Sequence, residues 1–331
     1  MKTSSGIRAK WLGGRKSPME HRQFYSPHNE ENKMKTVDCE QPICPPRKLT
    51  EILISQARDL QMLPDLAVKA IAVADNPDSR IKDLVTIIAQ DIQLTTGIVS
   101  LANSPLFGVG GSITSLQIAV TRVGFRQIKN MILASCFSSM MKKMDWQEEH
   151  VRDILCRHGF LTGILCSRLN KLFNLGMQGE EFMAGLVHDV GRSLLAVSIP
   201  HQFEELDPLD FVETDPALEH ELNSIGTTHA EIGAWFLQRN QLPEELVSVA
   251  RYHHCPENSS KYKRLIALVA VADNLANFFE RENDLEYDVS EIGSLSLLQS
   301  LGVENTVSLL EANWKTVLKS SVDEVGQLIG I

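Results

Sequence analysis

The sequence predicts an all-α protein, and three observations carry that prediction. From Lys48 onward, apolar residues recur at i, i+3, i+4 and i+7, the period of a helix with one buried face. No alternating stretch of β-branched residues competes as a strand. Capping residues and a helix-breaking glycine stand at the ends of the periodic runs.

The elements follow in chain order. The stretch before Arg47 has no apolar periodicity, an excess of Lys and Arg, and ends at Pro45-Pro46, so residues 1–47 are expected to form a disordered tail. Cys39 and Cys44 within it could be half of a metal site, but no second pair stands near them. Residues 48–148 form a first helical part. Asn76-Pro77-Asp78-Ser79 offers a cap for a helix carrying Ile81, Leu84, Val85 and Ile88. Thr114 or Ser115 can cap the next, on which Leu116, Ala119, Val120 and Val123 repeat the spacing until Gly124 interrupts it. Ile128, Met131, Ile132 and Ser135 carry a further helix toward Met144. The glycine-rich run 108–112 reads as a turn between helices, since no Lys follows in P-loop register and no strand precedes it. Residues 149–284 resume the helical pattern with a different chemistry, and residues 285–331 hold the last helices, including 306–318 and 322–328.

Composition narrows the function. The formal net charge of −10 argues against a general nucleic-acid binder, which would present a basic face. No apolar run approaches the roughly 20 residues that span a bilayer, and the first residues lack the apolar core of a secretory signal. A cytoplasmic protein is expected. Cys136, Cys156 and Cys166 fall in apolar helical segments, where thiols are commonly buried.

The second helical part carries the functional signal. His158, Leu161, Thr162 and Leu165 share one helical face, as do Phe182, Gly185, Leu186 and Asp189. His229, Ile232, Gly233 and Phe236 repeat the arrangement. Pro243 opens a helix whose Leu246, Val249, Ala250 and His253 point one way, and Ile266, Val269, Ala270 and Asp273 line up likewise. Five helices thus each aim one His or Asp at the core, with His188 and His254 beside two of them. A buried unpaired polar group costs a few kcal/mol, about 2–7 by reference state, and a carboxylate more. The economical arrangement is for the seven to meet one another. Imidazoles and carboxylates so gathered are ligands for Zn, Mn, Fe or similar ions, which suit phosphoester hydrolysis.

A lone histidine on an apolar face is most often a core residue bonded to a backbone carbonyl. The set is harder to explain that way, because His21, His28, His150, His201 and His220 show no such stripe. Trp235 and Phe236 read as core. Glu244-Glu245, Lys261-Tyr262-Lys263-Arg264 and Glu280-Arg281-Glu282 read as solvated helix ends or faces, the basic cluster having a phosphate contact as its alternative.

Several motifs carry a family resemblance. Gly185-Leu186-Val187-His188-Asp189-Val190-Gly191-Arg192 resembles the signature of the HD superfamily of metal phosphohydrolases. Leu63-Pro64-Asp65-Leu66, Ala102-Asn103-Ser104-Pro105-Leu106-Phe107-Gly108 and Ile113-Thr114-Ser115-Leu116-Gln117-Ile118-Ala119-Val120 resemble the HDOD family. His229-Ala230-Glu231-Ile232-Gly233-Ala234-Trp235, Leu242-Pro243 and His253-His254 continue its pattern. The resemblance runs from about Leu60 to Asp273. It implies an N-terminal helical subdomain packed on an HD-like helical bundle, acting as an output or regulatory module in bacterial signal transduction. Its partners would be signalling proteins or a nucleotide ligand.

His158, His188, Asp189, His229, His253, His254 and Asp273 resemble the ordered ligands of HD-GYP phosphodiesterases, which hydrolyse cyclic di-GMP at a two- or three-metal centre. The sequence also departs from those enzymes. Cys255-Pro256-Glu257-Asn258 follows where their Gly-Tyr-Pro loop would come, Ile154 stands where some carry a Glu ligand, and Arg192 replaces a phosphate-contacting Lys. The family pattern and these departures favour a non-catalytic regulatory module with a retained ligand set. The alternative is a metal-dependent phosphohydrolase of nucleotides or cyclic nucleotides, with Fe, Mn or Zn, metal-bound water as the attacking group and Arg192 as the phosphate contact.

Overall fold

A computed structural model describes residues 45–57, 62–105, 111–211, 215–282 and 288–329, and every regular element among them is helical. Most of the expected tail, with Cys39 and Cys44, lies outside the described residues, as do residues 108–110 of the glycine-rich run. No helix among the described residues is long and apolar enough to cross a membrane.

The first helices are α1 (Arg47–Ala57), α2 (Asp65–Asp75), α3 (Ile81–Ile88), α4 (Ile92–Ala102) and α5 (Leu116–Lys143). Leu84 and Ile88 are buried as the periodicity predicts, but the N-cap of α3 is Arg80, whose backbone N–H donates to Asp83 Oδ2 at 3.1 Å. Asn76 instead organises the preceding turn, accepting from Asp78 N at 3.0 Å. Ser115 is the cap of α5 and accepts from Ile118 N at 3.2 Å. Gly124 breaks α5 into two segments, its φ of 80° lying in the left-handed region that glycine enters without steric cost. Helices α2, α3 and α4 pack on α5, while α1 packs on a helix of the second half, α8.

That second half comprises α6 (Glu149–Leu172), α7 (Glu180–Val187), α8 (Val190–Ser198), α9 (Pro200–Leu206), α10 (Asp215–Ile225), α11 (His229–Arg239), α12 (Glu244–Tyr252) and α13 (Lys263–Glu282). Helix α6 packs on α7 and α13, and α11 packs on both α12 and α8. Burial holds the Cys136 and Cys156 thiols up at about 12, so both stay protonated at neutral pH. Trp235 and Phe236 are core, as the sequence predicts.

Two helices close the chain, α14 (Gly293–Ser300) and α15 (Thr306–Ile329). The two helices expected at 306–318 and 322–328 are one. No Gly or Pro separates them, and Arg168 of α6 donates to Ser321 at 2.8 Å and to Glu324 at 2.7 Å across the supposed gap. Residues 320–324 are thereby docked in helical register.

Backbone proximity brings the functional helices together. A Cβ on Gly163 of α6 would stand 2.8 Å from Phe182 O of α7, and one on Gly191 of α8 would run into His229 O of α11. Both obstacles are main chain and cannot rotate away. Gly191→Ala is therefore expected to force α8 from α11 and cost about 1–3 kcal/mol, as overpacking does. Urea denaturation measures it, and an unchanged midpoint would show that the two helices do not need this closeness.

Candidate metal centre

The seven residues singled out from sequence converge from five helices and the turns that follow them. His158 lies in α6, His229 at the first position of α11 and Asp273 in α13. His188 and Asp189 form the turn between α7 and α8, and His253 and His254 the turn after α12. The remaining described histidines, His150, His201 and His220, are exposed and take no part.

The donors fall into two groups that could each hold a metal ion: His158, His188 and Asp273, and Asp189, His229, His253 and His254. In the first, His158 Nε2 lies 3.3 Å from His188 Nε2 and 3.1 Å from Asp273 Oδ1, and His188 Nε2 lies 3.3 Å from that same oxygen. In the second, His229 Nε2 lies 2.9 Å from His254 Nε2, and Asp189 Oδ1 lies 3.2 Å from His253 Nε2 and 3.5 Å from His229 Nε2. Asp189, a member of the second group, also faces the first: its other oxygen, Oδ2, lies 3.6 Å from both His158 Nε2 and His188 Nε2. Two ligands about 2.05 Å from a tetrahedral ion stand about 3.3 Å apart. The donor spacings are of that size.

The far side of the imidazoles fixes their tautomers. His158 Nδ1 faces Glu280 Oε2 at 2.7 Å, and His229 Nδ1 faces Glu221 Oε1 at 2.8 Å. His188 Nδ1 meets Gly185 O at 2.7 Å, and His253 Nδ1 meets Ala250 O at 3.0 Å. Carboxylates and carbonyls only accept, so all four Nδ1 atoms donate and each neutral ring turns its Nε2 lone pair inward. With both rings neutral, the lone pairs on His158 and His188 face each other, which a cation between them would relieve, as would the proton that Glu280 and Asp273 favour on His158. Asp189 Oδ1 and His253 Nε2 are buried and close, yet neither makes an aligned hydrogen bond. This donor set fits a divalent metal.

Charge within the cluster is balanced by contact. Burial alone would raise the Asp189 and Asp273 pKa values, but His188, with His253, Arg192 and His229 also beside Asp189 and His158 beside Asp273, holds both carboxyls well below the usual range. Burial opposes charging of His158, yet the Glu280 and Asp273 carboxylates hold its pKa well above the ordinary value. His254 lies well below it, from burial and then the neighbouring His253 and His229.

Arg192 reaches the centre through carboxylates. Its Nη1 donates to Asp189 Oδ2 at 3.1 Å, while Nε and Nη2 donate to the two oxygens of Asp207 at 2.6 and 2.9 Å. The Lys261–Arg264 basic cluster is engaged elsewhere: Lys261 pairs with Glu244 at 2.8 Å, and Arg264 donates to Leu301 O.

Sequence reasoning missed Glu221, Glu280 and Asp207. Glu280 corrects the reading of 280–282 as a solvated end: it is 7% exposed and bonded to His158. It sits seven residues, two helical turns, beyond Asp273 on the same face, a signal hidden by the charges around it. Asn277, between them, donates to Asp273 Oδ1 at 3.1 Å.

Residues 60–256 match the HDOD domain family. An uncharacterised protein of Treponema pallidum (strain Nichols) is 27% identical over 257 residues, 76% of this chain and 49% of that protein, so the chain spans about half the length of the curated relative it matches. An HDOD domain protein of unknown function from Geobacter sulfurreducens has a TM-score of 0.65 at 23% identity, covering 83% of this chain and 98% of that one. A candidate phosphohydrolase from Shewanella amazonensis SB2B gives 0.64 at 23% identity, covering 84% and 98%. A candidate signal transduction protein from Marinobacter aquaeolei VT8 gives 0.58 at 20% identity, covering 85% and 65%. At these identities the structures show a common fold. With the family match extending over more than half of its length, the chain belongs to the HDOD family.

Proposed function

We propose that this protein is a metal-dependent phosphohydrolase acting in bacterial signal transduction, with a two-ion centre held by His158, His188, Asp189, His229, His253, His254 and Asp273. One observation carries the reading. A ligand set kept only as packing would satisfy its polar atoms with protein partners, whereas Asp189 Oδ1 and His253 Nε2 are buried without an aligned hydrogen bond at the junction of two imidazole groups.

Divalent Fe, Mn or Zn held there would supply Lewis-acid polarisation of a phosphoryl group and raise the acidity of water beside it. The chain's own residues do the positioning. Glu280 and Glu221 fix the His158 and His229 rings, Asn277 fixes Asp273, and Asp189 of the second group faces the first through Oδ2. Arg192, beside Asp189, is the phosphate contact, and its fork suits two oxygens of one phosphate. The substrate class is a nucleotide or cyclic nucleotide. Cyclic di-GMP is not singled out, because the sequence lacks the Gly-Tyr-Pro loop and has Ile154 where a Glu ligand would stand.

The regulatory alternative is favoured by a different observation. Six of the seven ligands are no more than 8% exposed, and such a centre could stabilise a surface that binds a signalling protein. The two are separated by elemental analysis of protein purified without a His-tag, followed by a phosphoester panel on the metal-loaded sample. About two equivalents of metal with turnover of a nucleotide phosphoester is the expected result. Metal-replete protein inert across the panel leaves the regulatory module. Protein that stays metal-free after reconstitution removes the two-ion centre.

A further inference from the structure

Arg192 is held by a residue outside the ligand set. Asp207, in the segment after α9, takes the Nε and Nη2 donors of Arg192 at 2.6 and 2.9 Å, and this ion pair is largely buried, with side-chain exposures of 4% and 12%. Asp207 Oδ1 also accepts from Leu209 N at 3.0 Å, which ties the pair to the backbone that follows. Two residues on, the buried Phe211 ring lies 5.4 Å from the His158 ring and 5.6 Å from the Arg192 guanidinium carbon. Leu209 and Phe211 have φ values of 55° and 58°, a region bulky residues rarely enter. This segment thus sits against the first metal group in an unfavourable backbone conformation, held by side-chain contacts.

We infer that residues 207–211 are an internal stand-in for the phosphoryl ligand, with Asp207 occupying the Arg192 fork that a phosphate takes when the site opens. The inference rests on the phosphoester reading above and adds how the substrate gains entry.

The chemistry of the fork specifies the ligand. A planar guanidinium presents parallel N–H groups that match the oxygens of a carboxylate or a phosphate alike. A neutral or cationic ligand displacing Asp207 would strip a buried guanidinium of a strong partner, which is costly. An anion with several oxygens replaces the carboxylate like for like. Arg192 Nη1 is bonded to Asp189 Oδ2, so an anion on the fork is placed beside the carboxylate of the second metal group that also faces the first. Displacing Asp207 also loosens Leu209 and Phe211, which uncovers His158. Substrate binding and opening of the centre are then one event, and no covalent step is involved.

The test uses the full chain, with inorganic phosphate as the probe, titrated calorimetrically into metal-free and metal-loaded protein. Asp207→Asn keeps the shape and removes the competing charge. It is expected to bind phosphate about tenfold or more tightly than wild type in both forms, whereas Asp207→Glu remains at least as weak as wild type. Phosphate is also expected to accelerate proteolytic cleavage within 207–211 of the wild-type protein. Folded Asp207→Asn protein that binds phosphate no better than wild type would overturn the inference, making Asp207 a structural support for Arg192. If Asp207→Asn does not fold, Phe211→Ala decides. It should tighten phosphate binding and raise cleavage in the segment, and failure of both counts against the proposal. The metal-free arm keeps the two readings apart: loss of the two-ion centre leaves competition at Arg192 measurable, and metal binding without competition removes only the stand-in.

Discussion

Asp189→Ala is expected to empty both halves of the centre, taking metal content from about two equivalents to near zero in one substitution. Asp189 is the carboxylate that both groups contact, with Oδ2 directed to His158 and His188 and Oδ1 to His229 and His253. Removing it takes a ligand from each group and leaves the imidazoles facing one another without the shared anion. The metal-free protein should also lose stability, because the carboxylate offsets Arg192 and the neighbouring histidines in a buried setting. Deleting one member of a buried ion pair costs about 3–5 kcal/mol. Urea denaturation of the metal-free form, alongside elemental analysis of the loaded form, measures both effects. Asp189→Asn preserves the shape and should lose the metal with a smaller stability cost. Retention of two equivalents by Asp189→Ala would falsify the shared-carboxylate arrangement.

How far the sequence revealed this centre depends on which polar residues interrupted an apolar stripe. His158, His229, His253 and Asp273 each replace a hydrophobic residue at a position helical spacing assigns to the interior, so their burial was legible and their meeting followed from the cost of leaving them unpaired. The helical class was legible for the same reason: Ile81, Leu84, Val85 and Ile88 keep one face over two turns. Glu221 gave no such signal. It lies on α10 among polar neighbours such as His220, Asn223 and Ser224, and the partner of its buried carboxylate, His229, is on the next helix. Asp207 was less accessible still, since its role depends on a loop conformation rather than a periodic face. The continuity of α15 was missed because Lys319, Ser320 and Ser321 read as a polar interruption. Arg168, 152 residues away from Ser320, donates to both serines and makes them part of a partly buried seam.

The carboxylates behind the imidazoles should divide the centre into separately tunable halves. Glu280 accepts from His158 in the first group and Glu221 from His229 in the second. A carboxylate there makes the imidazole a stronger donor to the metal than a neutral acceptor does, and loss of such a partner typically costs about 10–100-fold in affinity. Glu280→Gln can retain an acceptor of similar shape and should weaken one ion by that factor while leaving the other nearly unchanged. Glu221→Gln should weaken the other ion, with an added loss of order at the start of α11, since Glu221 Oε2 also accepts from the His229 backbone N–H at 2.7 Å. Competition against a chelator of known affinity resolves the two binding steps in each variant. Equal weakening of both ions by both substitutions would mean that the halves respond as one unit through Asp189. Separate weakening would mean that each carboxylate–imidazole pair sets the affinity of its own ion, and that one ion could be lost while the other stayed bound.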